Sequence, residues 1–126
     1  MNEPKPLPPS LRAHKRYVVF EAISENKIEY GDFVNAVWDS MLNFLGELEA
    51  SKAKIWFIKN LYDENNQRGI IRCGNNYVEH IRTVLSLIHM IGEKRVVIKI
   101  LGVTGTIKSA RNKYLATMDL RSFAWG

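Results

Sequence analysis

Residues 54–74 of this 126-residue chain read KIWFIKNLYDENNQRGIIRCG, and this stretch decides the fold. Residues 54–60 and 68–74 contain β-branched and aromatic side chains, which predicts two strands. The polar run from Asp63 to Gln67 between them predicts a turn. The two strands are therefore expected to form an antiparallel hairpin in the middle of the chain.

An amphipathic helix is predicted on each side of this hairpin. A helix over residues 30–50 has an apolar stripe at three- and four-residue steps, made of Phe33, Val34, Val37, Trp38, Met41, Leu42, Leu45 and Leu48. A helix over residues 76–91 has an apolar face made of Val78, Ile81, Val84, Leu85, Ile88 and Ile91, and Gly92 follows its end. Each helix has one apolar stripe, as packing on a single sheet face requires.

Two further strands complete the pattern, YVVFEAIS at residues 17–24 and RVVIKIL at residues 95–101. The resulting order, βαββαβ, is that of the ferredoxin-like or RRM-like fold. We therefore expect an α+β sandwich in which a four-stranded antiparallel sheet carries two helices on one face, followed by a C-terminal helix over residues 106–116. The chain divides into an extended, proline-rich basic arm (1–16), the RRM-like domain (17–102), and a basic C-terminal helix and tail (103–126).

Charge is distributed unevenly along the chain. The net charge of +5 is the result of +3 in residues 1–16, −3 in residues 17–91 and +5 in residues 92–126. Basic segments at both ends favour a polyanionic partner over a role in solubility alone. The single Cys73 excludes an internal disulfide, no apolar run has the length of a membrane span, and the N-terminus contains no signal-peptide core. These features predict a cytoplasmic protein without a membrane partner.

The segment from Gly102 to Ser109, GVTGTIKS, predicts contact with phosphate. It resembles a nucleotide-binding P-loop, but Ile107 stands where the second glycine is required, which excludes a nucleotidase. Thr106 is the expected N-cap of the C-terminal helix, and Arg111 projects toward its apolar side. The other interpretation is an ordinary packed helix with a solvated basic face. The candidate RNA-binding residues are Arg12, Lys15, Arg16, Arg68, Arg72, Lys94, Arg95, Gly105, Thr106, Lys108, Arg111 and Lys113.

Other chemistry has little support in the sequence. No metal site is expected, because His80 and His89 would lie on opposite faces of one predicted helix and Cys73 has no neighbouring ligand. No grouping of residues indicates nucleophilic catalysis. RNA-recognition motifs stack bases on aromatic residues of the third strand, where this sequence has Ile70 and Ile71. Base stacking is therefore not expected on that strand.

Several blocks of sequence together resemble a known family. They are Leu7-Pro8-Pro9-Ser10-Leu11-Arg12, Lys15-Arg16-Tyr17, Phe44-Leu45-Gly46-Glu47, Ala53-Lys54-Ile55-Trp56, Gly69-Ile70-Ile71-Arg72-Cys73 and Gly102-Val103-Thr104-Gly105-Thr106-Ile107-Lys108. In their order and spacing they resemble the archaeal ribonuclease P protein component 2 family. Its eukaryotic counterpart is a small subunit of ribonuclease P and ribonuclease MRP.

This resemblance implies an accessory subunit of a ribonucleoprotein endonuclease that removes the 5′ leader of precursor tRNA. Catalysis would belong to the ribonuclease P RNA and its Mg²⁺ ions, so the protein would contribute no catalytic residue and bind no cofactor. The resemblance also implies a barrel-like partner, ribonuclease P protein component 3, other ribonuclease P proteins, and self-association within a two-plus-two complex. The alternative is a scaffold that binds proteins of the complex and makes no direct RNA contact. A small acylphosphatase-like enzyme is excluded because residues 24–27 contain neither the arginine nor the glycine it requires.

Overall fold

Five strands and three α-helices follow one another in the computed structural model, which describes residues 14–115. The strands are β1 (Lys15–Ser24), β2 (Trp56–Phe57), β3 (Arg68–Gly74), β4 (Met90–Ile91) and β5 (Lys94–Thr104). The helices are α1 (Tyr30–Lys52), α2 (Val78–Leu87) and α3 (Ile107–Ala110). Short 3₁₀ turns span Lys59–Leu61 and Asn75–Tyr77, and a π-helical turn spans Arg111–Leu115.

The strands form one antiparallel sheet in the order β2-β3-β1-β5-β4. The predicted α+β class and antiparallel sheet are confirmed, but the predicted number of four strands was wrong. The additional strand is β4, which pairs with the start of β5 through Met90 opposite Arg95 and Ile91 opposite Lys94. The two strands turn at Gly92, whose φ of +63° suits glycine.

The second predicted helix extended too far at its C-terminal end. α2 ends at Leu87 because Ile88 has extended backbone angles, φ −82° and ψ 114°. His89 therefore lies beyond the helix, and the prediction that placed it on the same helix as His80 was wrong. The apolar residues after Leu87 fit the helical period, yet Ile91 belongs to a strand and is still buried in the core.

Alternate side chains of β1 belong to two hydrophobic clusters, one on each face of the sheet. Val18 and Phe20 point toward α1 and α2 and belong to the main core, where Phe20 stacks on Phe33 with ring centroids 4.6 Å apart. Val19 points to the opposite face and packs with Ile70 and Ala110. This alternation follows from the two-residue period of a strand.

α1 confirms the first predicted helix but is interrupted at Gly46, which has φ 82° and ψ 165°. Its first half buries Phe33, Val37 and Met41, as predicted. Leu42 and Leu48 were assigned to the same buried stripe, but they are 41% and 70% exposed. The prediction was wrong for these two residues. Leu48 follows Gly46, past which the helix does not continue in register, whereas Leu42 precedes the glycine and its exposure has no such explanation.

The C-terminal segment covers part of the sheet face opposite α1 and α2. Ala110 is fully buried there against Val19 and Ile70. The predicted helix over residues 106–116 is realised as the single turn α3 and the π-helical turn that follows it. The predicted second strand over residues 54–60 was also too long, because a 3₁₀ turn begins at Lys59 and β2 is confined to two residues.

Candidate nucleic-acid interface

Two predicted basic segments meet at one end of the sheet. Tyr17 in β1 lies opposite Thr104 in β5, so the start of β1 is adjacent to the turn that leads into α3. A Cβ atom on Gly105 would lie 4.0 Å from Nη1 of Arg16. Lys15 and Lys108 are both exposed on these segments. The structure therefore brings the last two residues of the predicted basic arm, Lys15 and Arg16, which belong to β1, close to the Gly105–Lys108 segment.

Side-chain hydrogen bonds fix the start of α3. The Thr106 hydroxyl accepts a hydrogen bond from the backbone N–H of Ser109 at 3.1 Å, which confirms the predicted N-cap. The Thr104 hydroxyl donates to the carbonyl of Thr106 at 2.8 Å. Because α3 is a single turn, its aligned peptide dipoles add little field. Any attraction for phosphate must come mainly from the cationic side chains around it.

Arg111 and Lys113 follow α3 in the π-helical turn and are both exposed. Arg111 was expected to project toward the apolar side, but it is exposed, and Ala110 and Tyr114 make the contact with the sheet. Its backbone angles are α-helical and its N–H bonds to the carbonyl of Ile107, so residue 111 continues the turn of α3.

A row of paired residues crosses the same end of the sheet. Tyr17 lies opposite both Thr104 and Arg72, and Arg72 in turn lies opposite Trp56. Directly opposed residues share a sheet face, and Tyr17 packs with the cluster around Val19, so the row lies on the face away from α1 and α2. The Cζ atom of Arg72 lies 5.7 Å from the centroid of the Trp56 ring, a cation–π contact.

Trp56 was not among the predicted site residues. It is 60% exposed although it lies in a strand. The two-residue period of the strands would place Trp56 beside Arg72 if the register of the β2–β3 pairing were known, but the sequence does not give that register. Ile70 and Ile71 are buried on opposite faces of the sheet, which agrees with the absence of base stacking predicted for them.

Arg68, the other predicted arginine of β3, is already paired. Its Nε lies 3.2 Å from Oε2 of Glu21, and both side chains are mostly buried. The carboxylate neutralises much of the charge that Arg68 would present to a phosphate. Arg68 is therefore a weaker candidate than Arg72 for contact with an anion.

Lys94 and Arg95 lie at the other end of β5. Arg95 is nine residues before Thr104, which corresponds to about 30 Å along an extended strand. The Lys94 ammonium donates to the backbone carbonyl of Lys27 at 2.8 Å. The structure therefore does not bring this pair together with the Gly105–Lys108 segment. Arg12 lies outside the described residues.

Within residues 14–115, no three His, Cys, Asp or Glu side chains are grouped to hold a metal ion. The Cys73 side chain is fully buried, and burial raises the pKa of its thiol to about 11. No helix in the same range has the length and apolar character needed to cross a membrane.

The fold and this basic end define a small, basic α+β protein with an antiparallel sheet. Residues 16–115 match the model of the Rpp14/Pop5 family, and the chain belongs to that family. It is 45% identical to ribonuclease P protein component 2 of Pyrococcus furiosus over 94% of this chain and 97% of the relative. It is 38% identical to ribonuclease P protein component 2 of Methanothermobacter thermautotrophicus, over 88% of this chain and 93% of that relative.

A solved structure supports the fold independently of these sequences. A chain in the cryo-EM structure of yeast ribonuclease MRP superimposes with a TM-score of 0.58, covering 90% of this chain and 95% of the other at 11% identity. At this identity the likeness concerns the fold alone. Together with the family match, the relatives confirm the predicted family and the predicted role as an accessory subunit of ribonuclease P.

Proposed function

We propose that this protein supports the RNA of ribonuclease P by neutralising phosphates at one end of its sheet, and that it does not itself cut precursor tRNA. The observation that carries the proposal is the proximity of Arg16 to Gly105, with exposed Lys15 and Lys108 on the same two segments. Cationic side chains that release counterions from an RNA backbone supply most of the sequence-independent affinity of such proteins.

The reaction and its other components are assigned on the family resemblance. The complex would remove the 5′ leader of precursor tRNA, with Mg²⁺ held by the RNA, and would operate in the cytoplasm. The relatives' shared name, ribonuclease P protein component 2, supports a place beside other ribonuclease P proteins, and we assign the barrel-like component 3 as a partner. Leu42, Phe44 and Leu48 of α1 are individually exposed apolar residues and are candidate contacts for component 3 or for self-association.

We also assign the sheet to the ferredoxin-like class. Without β4, the order of strands is β2-β3-β1-β5, with β1 and β3 in the centre, and α1 and α2 lie on one face. β4 is then a short addition at the edge of β5. The face opposite α1 and α2 remains available for ligands where the C-terminal segment does not cover it.

The salt dependence of binding tests the phosphate contacts. If about six phosphates are neutralised, the logarithm of the affinity for ribonuclease P RNA should fall against the logarithm of salt with a slope of about −4 to −5. Lys15→Ala and Lys108→Ala should each reduce the steepness by about one unit. Lys27→Ala is the matched control, because Lys27 is an exposed cation beyond the opposite end of β1 and pairs with Glu64. An unchanged slope in both site variants would contradict the proposed contacts.

A cleavage assay tests the role in the complex. Multiple-turnover cleavage of precursor tRNA at moderate Mg²⁺ should be compared for the cognate RNA alone, with this protein, and with this protein plus component 3. We expect a rate gain that needs both proteins, and no cleavage by protein without RNA. Charge reversal of Lys15 and Arg16 should abolish RNA binding. If assembly and cleavage survive that reversal, the protein is a scaffold that binds partners without touching RNA.

A further inference from the structure

An exposed tryptophan lies beside an arginine at the edge of the sheet. Trp56 belongs to the two-residue edge strand β2 and is 60% exposed. The Arg72 guanidinium carbon lies over its ring, 5.7 Å from the centroid. This contact orients the indole, while its exposure leaves aromatic surface open to a ligand. Large aromatic side chains are otherwise used mainly in cores and interfaces.

Arg72 has an unused hydrogen-bonding capacity. Its Nε is buried and has no hydrogen-bond partner among residues 14–115, which is costly for a donor of a charged group. The residue as a whole is partly exposed, so a ligand would meet the outer part of the guanidinium. Among the described residues no carboxylate lies within ion-pair distance of Arg72, whereas Arg68 on the same strand is paired with Glu21. The ligand that fits this pair must offer an aromatic face to the indole and an acceptor to the guanidinium.

A nucleotide has both features. Its base presents a π face, and its phosphate and base edge present acceptors, whereas an apolar protein side chain leaves the guanidinium unpaired. The surrounding charge also favours a polyanion. Tyr17 connects Arg72 to Thr104 across the sheet, and strands about 4.8 Å apart place Trp56 about 15 Å from Thr104. Lys15 is two residues from Tyr17 and therefore on the same face of the sheet, so a strand of RNA that contacts Lys15 can also reach Trp56.

We infer that Trp56 and Arg72 bind an unpaired base of the RNA, the indole by stacking and the guanidinium by hydrogen bonding to the same nucleotide. The inference rests on the proposed function, because it requires RNA at this end of the sheet. It assigns the stacking surface to the edge strand β2, where base recognition was not expected from the sequence. Stacking on an aromatic side chain adds affinity with little dependence on sequence.

Binding of single-stranded RNA to the full-length protein tests the inference. The probes are a fluorescently labelled short oligoadenylate and the same oligomer with abasic riboses, which keeps the phosphates and removes the bases. Trp56→Ala should weaken oligoadenylate binding about tenfold while the salt slope stays unchanged, because no phosphate contact is removed. Trp56→Phe should retain most of the affinity. The abasic oligomer should bind wild type and Trp56→Ala equally.

Val97→Ala is the matched control. Val97 is 64% exposed and lies opposite Ile23, so it is on the same sheet face but at the far end of β1 from Tyr17. This variant should bind oligoadenylate like wild type. Thermal melting of each variant verifies that it is folded, and if Trp56→Ala does not fold, Trp56→Leu, which stays apolar but lacks the aromatic ring, should show the same weakening.

Three results would overturn the inference. Wild-type affinity of Trp56→Ala for oligoadenylate would show that no base stacks there, and the phosphate contacts would be unaffected by that result. Equal weakening with the abasic oligomer would show that Trp56 acts on the backbone or the fold. If Trp56→Ala no longer bound component 3 but bound RNA as tightly as wild type, Trp56 would be a contact for a protein partner. A failure of the proposed function would look different from a failure of this inference, because the wild-type protein itself would then show no salt-dependent RNA binding.

Discussion

The phenol ring of Tyr114 occupies the space that a side chain at position 102 would fill, so the π-helical turn rests directly on the backbone of Gly102. Gly102 lies opposite Val19 in the β1–β5 pairing, and Tyr114 packs with the cluster formed by Val19, Ile70 and Ala110. The absence of a side chain at one position of β5 therefore allows the C-terminal segment to approach the sheet. The basic residues from Lys108 to Lys113 depend on this contact for their position.

Gly102→Ala should displace Tyr114 from the sheet. The added methyl group has no room, and overpacking of this kind lowers the free energy of unfolding by about 1–3 kcal/mol. In this variant, the rate of hydrogen exchange should increase more over residues 107–115 than over β1, because the contact that is lost belongs to the C-terminal segment. A double-mutant cycle with Tyr114→Ala isolates the effect: the two changes should be strongly non-additive. Additive losses would show that the glycine and the tyrosine act independently.

The sequence was sufficient for elements whose signal is local. β1 and β3 were predicted nearly to the residue, because each combines apolar side chains with clear turn residues at its ends. β4 was missed because Ile88 and Ile91 fit a helical period, and only pairing with β5 makes a strand of residues 90–91. Gly92 was expected just past the end of the second helix, but that helix ends at Leu87 and Gly92 is instead the turn between β4 and β5.

The candidate site likewise combines features with a local sequence signal and features that depend on strand pairing. The basic segments could be identified from charge alone, and the N-cap at Thr106 from residue type. The proximity of Arg16 to Gly105 and of Trp56 to Arg72 depends on strand register, which a single sequence specifies only weakly at its edges. The Arg68–Glu21 pair depends on register too, which is why Arg68 and Arg72 looked equivalent in the sequence.

Gly69→Ala should destabilise the main core. A Cβ atom at this position would lie 2.7 Å from Cζ of Phe20 and 2.9 Å from Cδ1 of Tyr62, and both rings are held by neighbours. We expect a loss of about 1–3 kcal/mol in the free energy of unfolding, measured by urea denaturation. Gly74→Ala is the matched control on the same strand, since its nearest atoms would be 3.7 Å away. Equal losses for the two variants would contradict a steric cause at position 69.

Glu21→Gln should cost more stability than Glu64→Gln. Glu21 pairs with Arg68 at 3.2 Å, and the two side chains are only 24% and 20% exposed, whereas Glu64 and its partner Lys27 are 68% and 59% exposed. Removing one charge of a mostly buried pair leaves the other poorly solvated, and we expect a loss of about 1–2 kcal/mol. The exposed pair should contribute about 0–1 kcal/mol. Thermal or urea unfolding at low and high salt measures both, and equal effects would contradict the role of burial.

Stability should decline at alkaline pH because of Cys73. Burial raises the pKa of its thiol from the ordinary value of 9.0 to about 11, so the unfolded chain loses this proton first. Between these values the folded state binds more protons, and the free energy of unfolding falls as pH rises. The contribution is complete below pH 9 and lost above about pH 11, and it is on the order of 2–3 kcal/mol. Urea unfolding from pH 8 to 11 measures it.

Cys73→Ala separates the thiol from other groups that titrate in this range. Burial also raises the pKa of Tyr62, to about 12, and that contribution should persist in the variant. The variant is expected to be less stable at pH 8, because a buried side chain is shortened, but its stability should fall less steeply with pH. Alkylation gives an independent measure: iodoacetamide should modify the native thiol far more slowly than the thiol in urea, because only the thiolate reacts. Rapid alkylation of the native protein, or an unchanged pH slope in the variant, would show that Cys73 is accessible to solvent.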